Sequence, residues 1–161
     1  MSTFHEIYEE NARKLYGFLL SLSGNEALAE ELMQETFFQA LKSFDQFEGR
    51  CSVYTWLCQI GKNAWLKEVK RNKRYSEIEL SDLCIPDNSP SLDDQLVKKD
   101  EYIRARRALL KLEEPYRNVF ILHAISEVKL KEIASLYGKT ESWARVTYYR
   151  ARMQIVQEVM K

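Results

Sequence analysis

The chain has 161 residues, 45% of them hydrophobic and 30% charged, with five Gly, three Pro and a formal net charge of zero. That length allows one or two small domains, and long periodic runs with so few breakers point to an all-α protein. No apolar run approaches the ~18 residues of a membrane span. The acidic, polar start MSTFHEIYEENARKLYG is not a signal peptide, so a cytoplasmic protein without membrane insertion is expected.

In chain order, residues 3–22 read as a helix with Phe4, Ile7, Tyr8, Leu15, Phe18, Leu19 and Leu22 at its apolar positions. Ser23-Gly24-Asn25 breaks the pattern, and Asn25 suits the N-cap of a second helix whose first turns carry Glu26, Glu30 and Glu31. That helix runs to about Ser43, with Leu28, Leu32, Phe37 (or Phe38) and Leu41 as its core stripe. Residues 44–50 read as a loop. A third helix runs from about Ser52 to Arg74. Periodicity fails from Tyr75 to Lys99, where two of the three prolines fall among many acids, so this stretch reads as an acidic flexible linker. A second helical domain begins at Asp100. Pro115 suits the first turn of a helix through Val119, Leu122 and Ile125.

Leu130 to Arg152 carries the most specific local pattern. It reads as a helix, a three-residue turn and a second helix. Ala134 is small where two helices must approach, and Gly138, four residues later, can take φ > 0 at low cost. This is the helix-turn-helix spacing, whose second helix enters the DNA major groove. Ala144, Tyr148, Ala151 and Ile155 share one face and should pack inward, on Ile133, Leu136 and the preceding helix. Ser142, Trp143, Arg145, Val146, Tyr149 and Arg150 fall opposite or beside it. Arg pairs bidentately with guanine and Val touches a thymine methyl, so these are the candidate DNA readers.

Zero net charge hides a pattern. Residues 1–49 hold nine acids against three bases and residues 50–74 one acid against seven bases; residues 75–103 hold eight against two and residues 104–161 six against twelve. Basic blocks favour phosphate through counterion release, so 50–74 and the last third are the expected DNA-facing surfaces. The first block should face another partner, such as a basic protein surface. Within 52–74, Trp56, Ile60 and Asn63 share a side that Lys67, Lys70, Arg71 and Arg74 continue. Aromatics beside cations suit stacking on unpaired bases. The alternative is a core role for Trp56, Leu57 and Ile60 with a solvated basic tail.

Cys51, Cys58 and Cys84 form no C-x-x-C pair and read as free thiols. His5 and His123 stand apart from them, so no metal site and no cofactor are expected. Nothing matches a phosphate-binding glycine loop, a nucleophile elbow or a metalloprotease helix, so no enzyme activity is expected.

The order of these parts resembles the extracytoplasmic-function group of bacterial RNA polymerase sigma factors. AEELMQETFFQALKSFDQF at 29–47 resembles that family's acidic helix, TWLCQIGKN at 55–63 its T-W-L-x-x-I-x-x-N segment, and LEEPYRNVFIL at 112–122 with EIASLYGKTESWARVTYYRAR at 132–152 its −35-reading region. The resemblance implies an alternative sigma factor made of two small helical domains joined by an acidic flexible linker. Residues 1–74 would bind core polymerase and the −10 element, 75–99 would link, and 100–161 would read the −35 element. Its partners would be core RNA polymerase, at the clamp helices of the largest subunit and the flap region, promoter DNA, and an anti-sigma factor. By matching position, Glu31, Gln34, Glu35 and Phe38 would meet the polymerase. Phe47, Arg50, Ser52, Trp56 and Asn63 would handle a flipped base of the opened −10 element. Two departures stand out: Lys67 occupies a position that is often Asp in the family, and Trp143-Ala144-Arg145-Val146-Thr147 replaces a run like T-V-K-S-R. The competing reading is a helix-turn-helix repressor or activator with an N-terminal dimerisation or effector domain, a two-fold dimer on a palindromic site. It leaves the helix at 52–74 without a role.

Overall fold

The computed structural model describes residues 3–71 and 92–161, with side chains for 3–71 and 99–161. Among the described residues all regular structure is helical. They fall into two compact units, one holding α1 to α3 and the other α4 to α7.

In the first unit α1 spans Phe4–Ser23, and the Thr3 hydroxyl accepts from the Glu6 N–H at 3.2 Å to cap it. Gly24 ends it in the left-handed region at φ 67°, where glycine carries no Cβ penalty. One residue later Asn25 Oδ1 accepts from the Leu28 N–H at 2.9 Å and starts α2, Glu26–Ser43. The break and the cap fall where the sequence placed them. A short 3₁₀ turn, Phe44–Gln46, opens the expected loop. Ser52 Oγ accepts from the Thr55 N–H at 3.1 Å and leads into α3, Val53–Arg71. The core joins Leu15, Leu19 and Leu22 of α1, Ala29, Leu32 and Phe37 of α2, and Leu57, Cys58 and Trp65 of α3.

One expectation fails here. Leu41 is not on the core stripe of α2: it is 56% exposed, as is Phe38, while the buried arc consists of Leu28, Ala29, Leu32, Thr36, Phe37 and Ala40. Small residues make the centre of that arc, so a stripe drawn through the large aliphatics drifts off the core.

In the second unit α4 spans Leu92–Lys111. It begins eight residues before Asp100, where periodicity had placed the start of the domain. The remainder of the expected linker, with Cys84, lies outside the described residues. Pro115 stands at the N-cap of α5, Tyr116–Phe120, which widens into a π-helical turn at Ile121–Ile125 in place of a continuous α-helix. The Val128 N–H donates to Leu122 O at 2.8 Å and closes this end, with Glu127 between them at φ 61°. Helix α6 spans Leu130–Tyr137 and α7 spans Glu141–Val159. Gly138 between them takes φ 63°, and Thr140 Oγ1 accepts from the Trp143 N–H at 3.1 Å to cap α7. Val119, Ile121, Leu122, Ile133, Ala134, Ala144 and Ala151 are buried together. Arg106 of α4 is also buried, and loss of solvation draws its guanidinium down to about 10, so it is still charged at neutral pH.

Candidate nucleic-acid and protein interfaces

Three surfaces gather the candidate residues. The first is the outer face of α2. Glu31, Gln34, Glu35 and Phe38 are all exposed and, at helical spacing, share one side. Leu41 joins them. Its position three residues after Phe38 and seven after Gln34 was the available signal. Two large apolar side chains, each 56% exposed inside an acidic face, are what a protein-binding surface presents. Lys42 lies over the Phe38 ring at 4.8 Å and Gln39 donates to Glu35 at 2.8 Å, so the face is ordered without a partner.

The second surface joins the loop after α2 to the outer side of α3. Trp56 and Phe47 are half-buried, and their ring centroids lie 4.8 Å apart at 34°. The Phe44 ring sits 6.3 Å from Trp56 on another side. Trp56 therefore belongs neither to the core nor to free surface: it is held among rings with part of its area open. The core tryptophan of α3 is Trp65, fully buried and half a turn out of phase with Trp56. Asn63, Lys67, Lys70 and Arg71 are exposed beyond Trp56. Arg50 is exposed and pairs with Glu48 at 2.9 Å. The Ser52 hydroxyl is engaged in the helix cap and in a 3.0 Å bond to Thr55 Oγ1, so it is committed to structure. Lys67 and Arg71 also line a groove of about 280 Å³ against α2, facing Glu31, Glu35 and Gln39 over a floor of Leu28, Leu32 and Ala64. The structure thus sets these two cations between the acidic face and the aromatic one.

The third surface is the outer side of α7. Ala144, Thr147, Ala151 and Ile155 are buried. Tyr148 packs inward, stacked on Phe120 at 5.8 Å and against the edge of His123 at 4.5 Å. That leaves Val146 at 47% and Tyr149 at 59% exposure, with Ser142, Arg145 and Arg150 exposed around them. Arg145 is tethered to Glu141 by a 3.4 Å contact; Arg150 forms no ion pair among the described residues. Trp143 is half-buried, 5.1 Å from the Tyr137 ring. The Tyr137 hydroxyl accepts from Asn118 Nδ2 at 2.6 Å, and this fixes the entry of α7 from behind.

A short helix, a tight glycine turn and a longer helix with cations on its outer side form a helix-turn-helix, and it follows a unit with its own aromatic and basic face. Comparison with known families agrees over both parts. The Sigma-70 region 2 model matches residues 7–75 and the Sigma-70, region 4 model matches residues 102–155. The chain belongs to the sigma-70 family of RNA polymerase sigma factors.

This sigma factor is 28% identical over 156 residues to the ECF sigma factor SigM of Bacillus subtilis, covering 95% of this chain and 93% of that one. It is 25% identical over 161 residues to the RNA polymerase sigma factor YlaC of the same organism, covering 99% and 93%. Among solved structures it is similar to the sigma factor RpoE from Bartonella quintana, in complex with the anti-sigma factor NepR, with a TM-score of 0.62, 26% identity, and coverage of 98% and 96%. These relatives place it in the extracytoplasmic-function group. It is an alternative sigma factor that directs promoter recognition and transcription initiation. The region 2 match gives the helix at 53–71 a role that the repressor reading lacks. Among the described residues no helix is long and apolar enough to cross a membrane.

Proposed function

We propose that the three surfaces divide the work of promoter selection. The acidic, apolar face of α2, with Glu31, Gln34, Glu35 and Phe38 and now Leu41, binds core RNA polymerase at the clamp helices. Phe38 and Leu41 supply the desolvated centre and the carboxylates a charged rim that fixes register. Phe47 and Trp56 offer ring faces to a base drawn from the opened −10 element, and Asn63 lies where its amide can read a base edge. Arg50 and Lys70 hold the phosphate backbone. Lys67 and Arg71 contribute to that field from the α2 side. The outer side of α7 enters the −35 major groove with Ser142, Trp143, Arg145, Val146, Tyr149 and Arg150. Arg150, in no ion pair among the described residues, is the strongest candidate for base reading, and Tyr149 and Val146 give apolar contact.

Neither DNA-facing unit needs high affinity alone, because holding both on one enzyme multiplies their effective concentration. The B. quintana relative is bound by an anti-sigma factor. By that likeness an anti-sigma factor controls this chain by covering the same surfaces.

The observation that carries this reading is the separation, within one unit, of an acidic face with two exposed apolar side chains from an aromatic and basic face. The test is co-elution of the purified chain with core bacterial RNA polymerase. Phe38→Ala and the double reversal Glu31→Lys, Glu35→Lys should each weaken the complex, with unchanged helical circular dichroism because all three side chains are exposed. Phe38→Ala should cost ~2 kcal/mol or more if it is a central anchor. Undiminished co-elution of both variants would refute the assignment of α2.

A further inference from the structure

We infer that Phe4 and Phe44 are positioning residues for the ring pair Phe47 and Trp56, and this rests on the reading of that pair as the base-stacking platform. A half-exposed tryptophan on a helix has several rotamers open to it, and a stacking surface must be held in one of them before the base arrives. Six aromatic rings run in contact from the start of the chain to this point. Tyr8 lies 4.7 Å from the buried Phe37. Phe37 takes Phe4 edge-on at 6.3 Å and 89°, and Phe4 takes Phe44 edge-on at 6.4 Å and 83°. Phe44 then meets Trp56 at 6.3 Å, and Trp56 meets Phe47 at 4.8 Å.

The series has a direction. Phe37 is fixed in the core, and Phe4 and Phe44 are half-buried between it and the platform. Phe44 closes the turn that carries Phe47, whose N–H donates to Phe44 O at 3.1 Å. Phe4 is the first residue of α1, where a helix frays unless capped, and the Thr3 hydroxyl supplies that cap. The edge-to-face geometry explains why a ring is needed at Phe4. An aliphatic side chain of similar volume would fill the space without the quadrupole preference that orients its neighbours. Neither Phe4 nor Phe44 needs to touch DNA.

The test uses holoenzyme reconstituted from the full chain and a promoter fragment selected by the wild-type holoenzyme from a randomised pool. 2-Aminopurine placed at the opened positions reports unstacking by fluorescence. Phe4→Leu and Phe44→Leu should each lower the rate and extent of opening roughly three- to tenfold, the scale of one aromatic pair. Polymerase co-elution should be unchanged, and Phe4→Tyr, which keeps the ring, should open like wild type. Phe44→Leu lies in a turn and decides the matter if Phe4→Leu lowers the unfolding midpoint. Wild-type opening by both leucine variants, while Trp56→Ala is defective, would overturn the positioning role alone. Equal loss of opening and polymerase binding in both would show that the rings are general core and overturn it too. Wild-type opening by Trp56→Ala would overturn the reading of the platform and this inference with it.

Discussion

Two glycines in the same unit should respond in opposite ways to one added methyl. Gly61 lies where α3 passes α1 and α2. A Cβ there would stand 3.0 Å from Leu19 Cδ2 and 3.1 Å from Thr36 Oγ1. Comfortable contact is ~3.5–4.0 Å, so both neighbours must retreat by a few tenths of an ångström. Neither can do so cheaply. Leu19 and Thr36 are fully buried, and Thr36 Oγ1 donates to Leu32 O at 2.6 Å. Gly61→Ala gains about 1 kcal/mol of helix propensity. It loses about 1–3 kcal/mol to overpacking, and about 1 kcal/mol more if the threonine bond breaks. The net is a destabilisation of up to about 3 kcal/mol, with no stabilisation even at the low end. Gly17, in the middle of α1, has nothing within 4 Å of its Cβ position. Gly17→Ala keeps the propensity gain alone and should stabilise by about 0.5–1 kcal/mol. Thermal unfolding followed by circular dichroism would read both, since 1 kcal/mol moves the midpoint temperature of a unit this size by ~4–8 °C. The crossing also sets α2 and α3, whose outer sides carry the proposed polymerase and promoter surfaces, relative to one another, so Gly61→Val should lose both activities together. Stabilisation by both alanines would show that the three helices relax freely and refute the close crossing.

Two further predictions concern the helix-turn-helix. Thr140→Ala removes the cap of α7 and should cost about 1 kcal/mol of stability, with a matching loss of −35 affinity at temperatures where the first turn frays; equal hydrogen-exchange rates at Trp143 in both proteins would contradict it. Tyr137→Phe leaves the buried Asn118 amide without its 2.6 Å partner, at a cost of about 1–3 kcal/mol. The same variant tests a pH effect. Burial, aided by the charge of Glu114 and opposed by the Asn118 bond, holds the Tyr137 phenol above its usual 10.0. Folding therefore favours the neutral phenol, and the stability it contributes is complete below pH ~10 and lost as pH rises through the folded value. The alkaline fall in unfolding midpoint should be shallower in Tyr137→Phe, and an unaltered slope would assign it to other groups.

How much of this was legible from the residues depended on whether a local signal existed. Asn25 as a cap, Gly24 and Gly138 as helix stops and the inward set Ala144, Ala151 and Ile155 each follow from single-residue chemistry or strict spacing. Trp65 was legible in principle. It stands nine residues after Trp56, two and a half helical turns, so the two rings must point opposite ways, and only one can share the core with Leu57. Leu41 had a signal in its spacing from Gln34 and Phe38, but an ambiguous one, since apolar periodicity marks any face that loses water, whether the cover is the protein's own core or a partner. The π-turn at Ile121–Ile125 left no trace in residue type. It leads directly into the turn through Ser126, whose N–H donates to Ile121 O at 3.0 Å, and a left-handed Glu127 before α6.

The alternating charge blocks take on a spatial meaning in the groove between α2 and α3, where Glu31 and Glu35 face Lys67 and Arg71. At physiological salt the Debye length is about 8 Å, so charges lining one groove interact while those farther off are screened. The acids of α2 therefore mute the phosphate attraction of Lys67 on this side of α3, while Lys70 lies outside the groove. On the proposed assignment of α2, polymerase that covers this face engages its carboxylates and frees Lys67 toward DNA, while Arg71 keeps its 3.3 Å pair with Glu68. The double variant Glu31→Gln, Glu35→Gln should mimic this release. It should raise the affinity of the isolated chain for single-stranded DNA several-fold at ~50 mM salt and steepen the dependence on salt by about one phosphate contact. By ~0.5 M salt the difference should vanish. Unchanged affinity at low salt would mean that Lys67 does not reach the backbone, and would assign it to the protein-facing side of the groove.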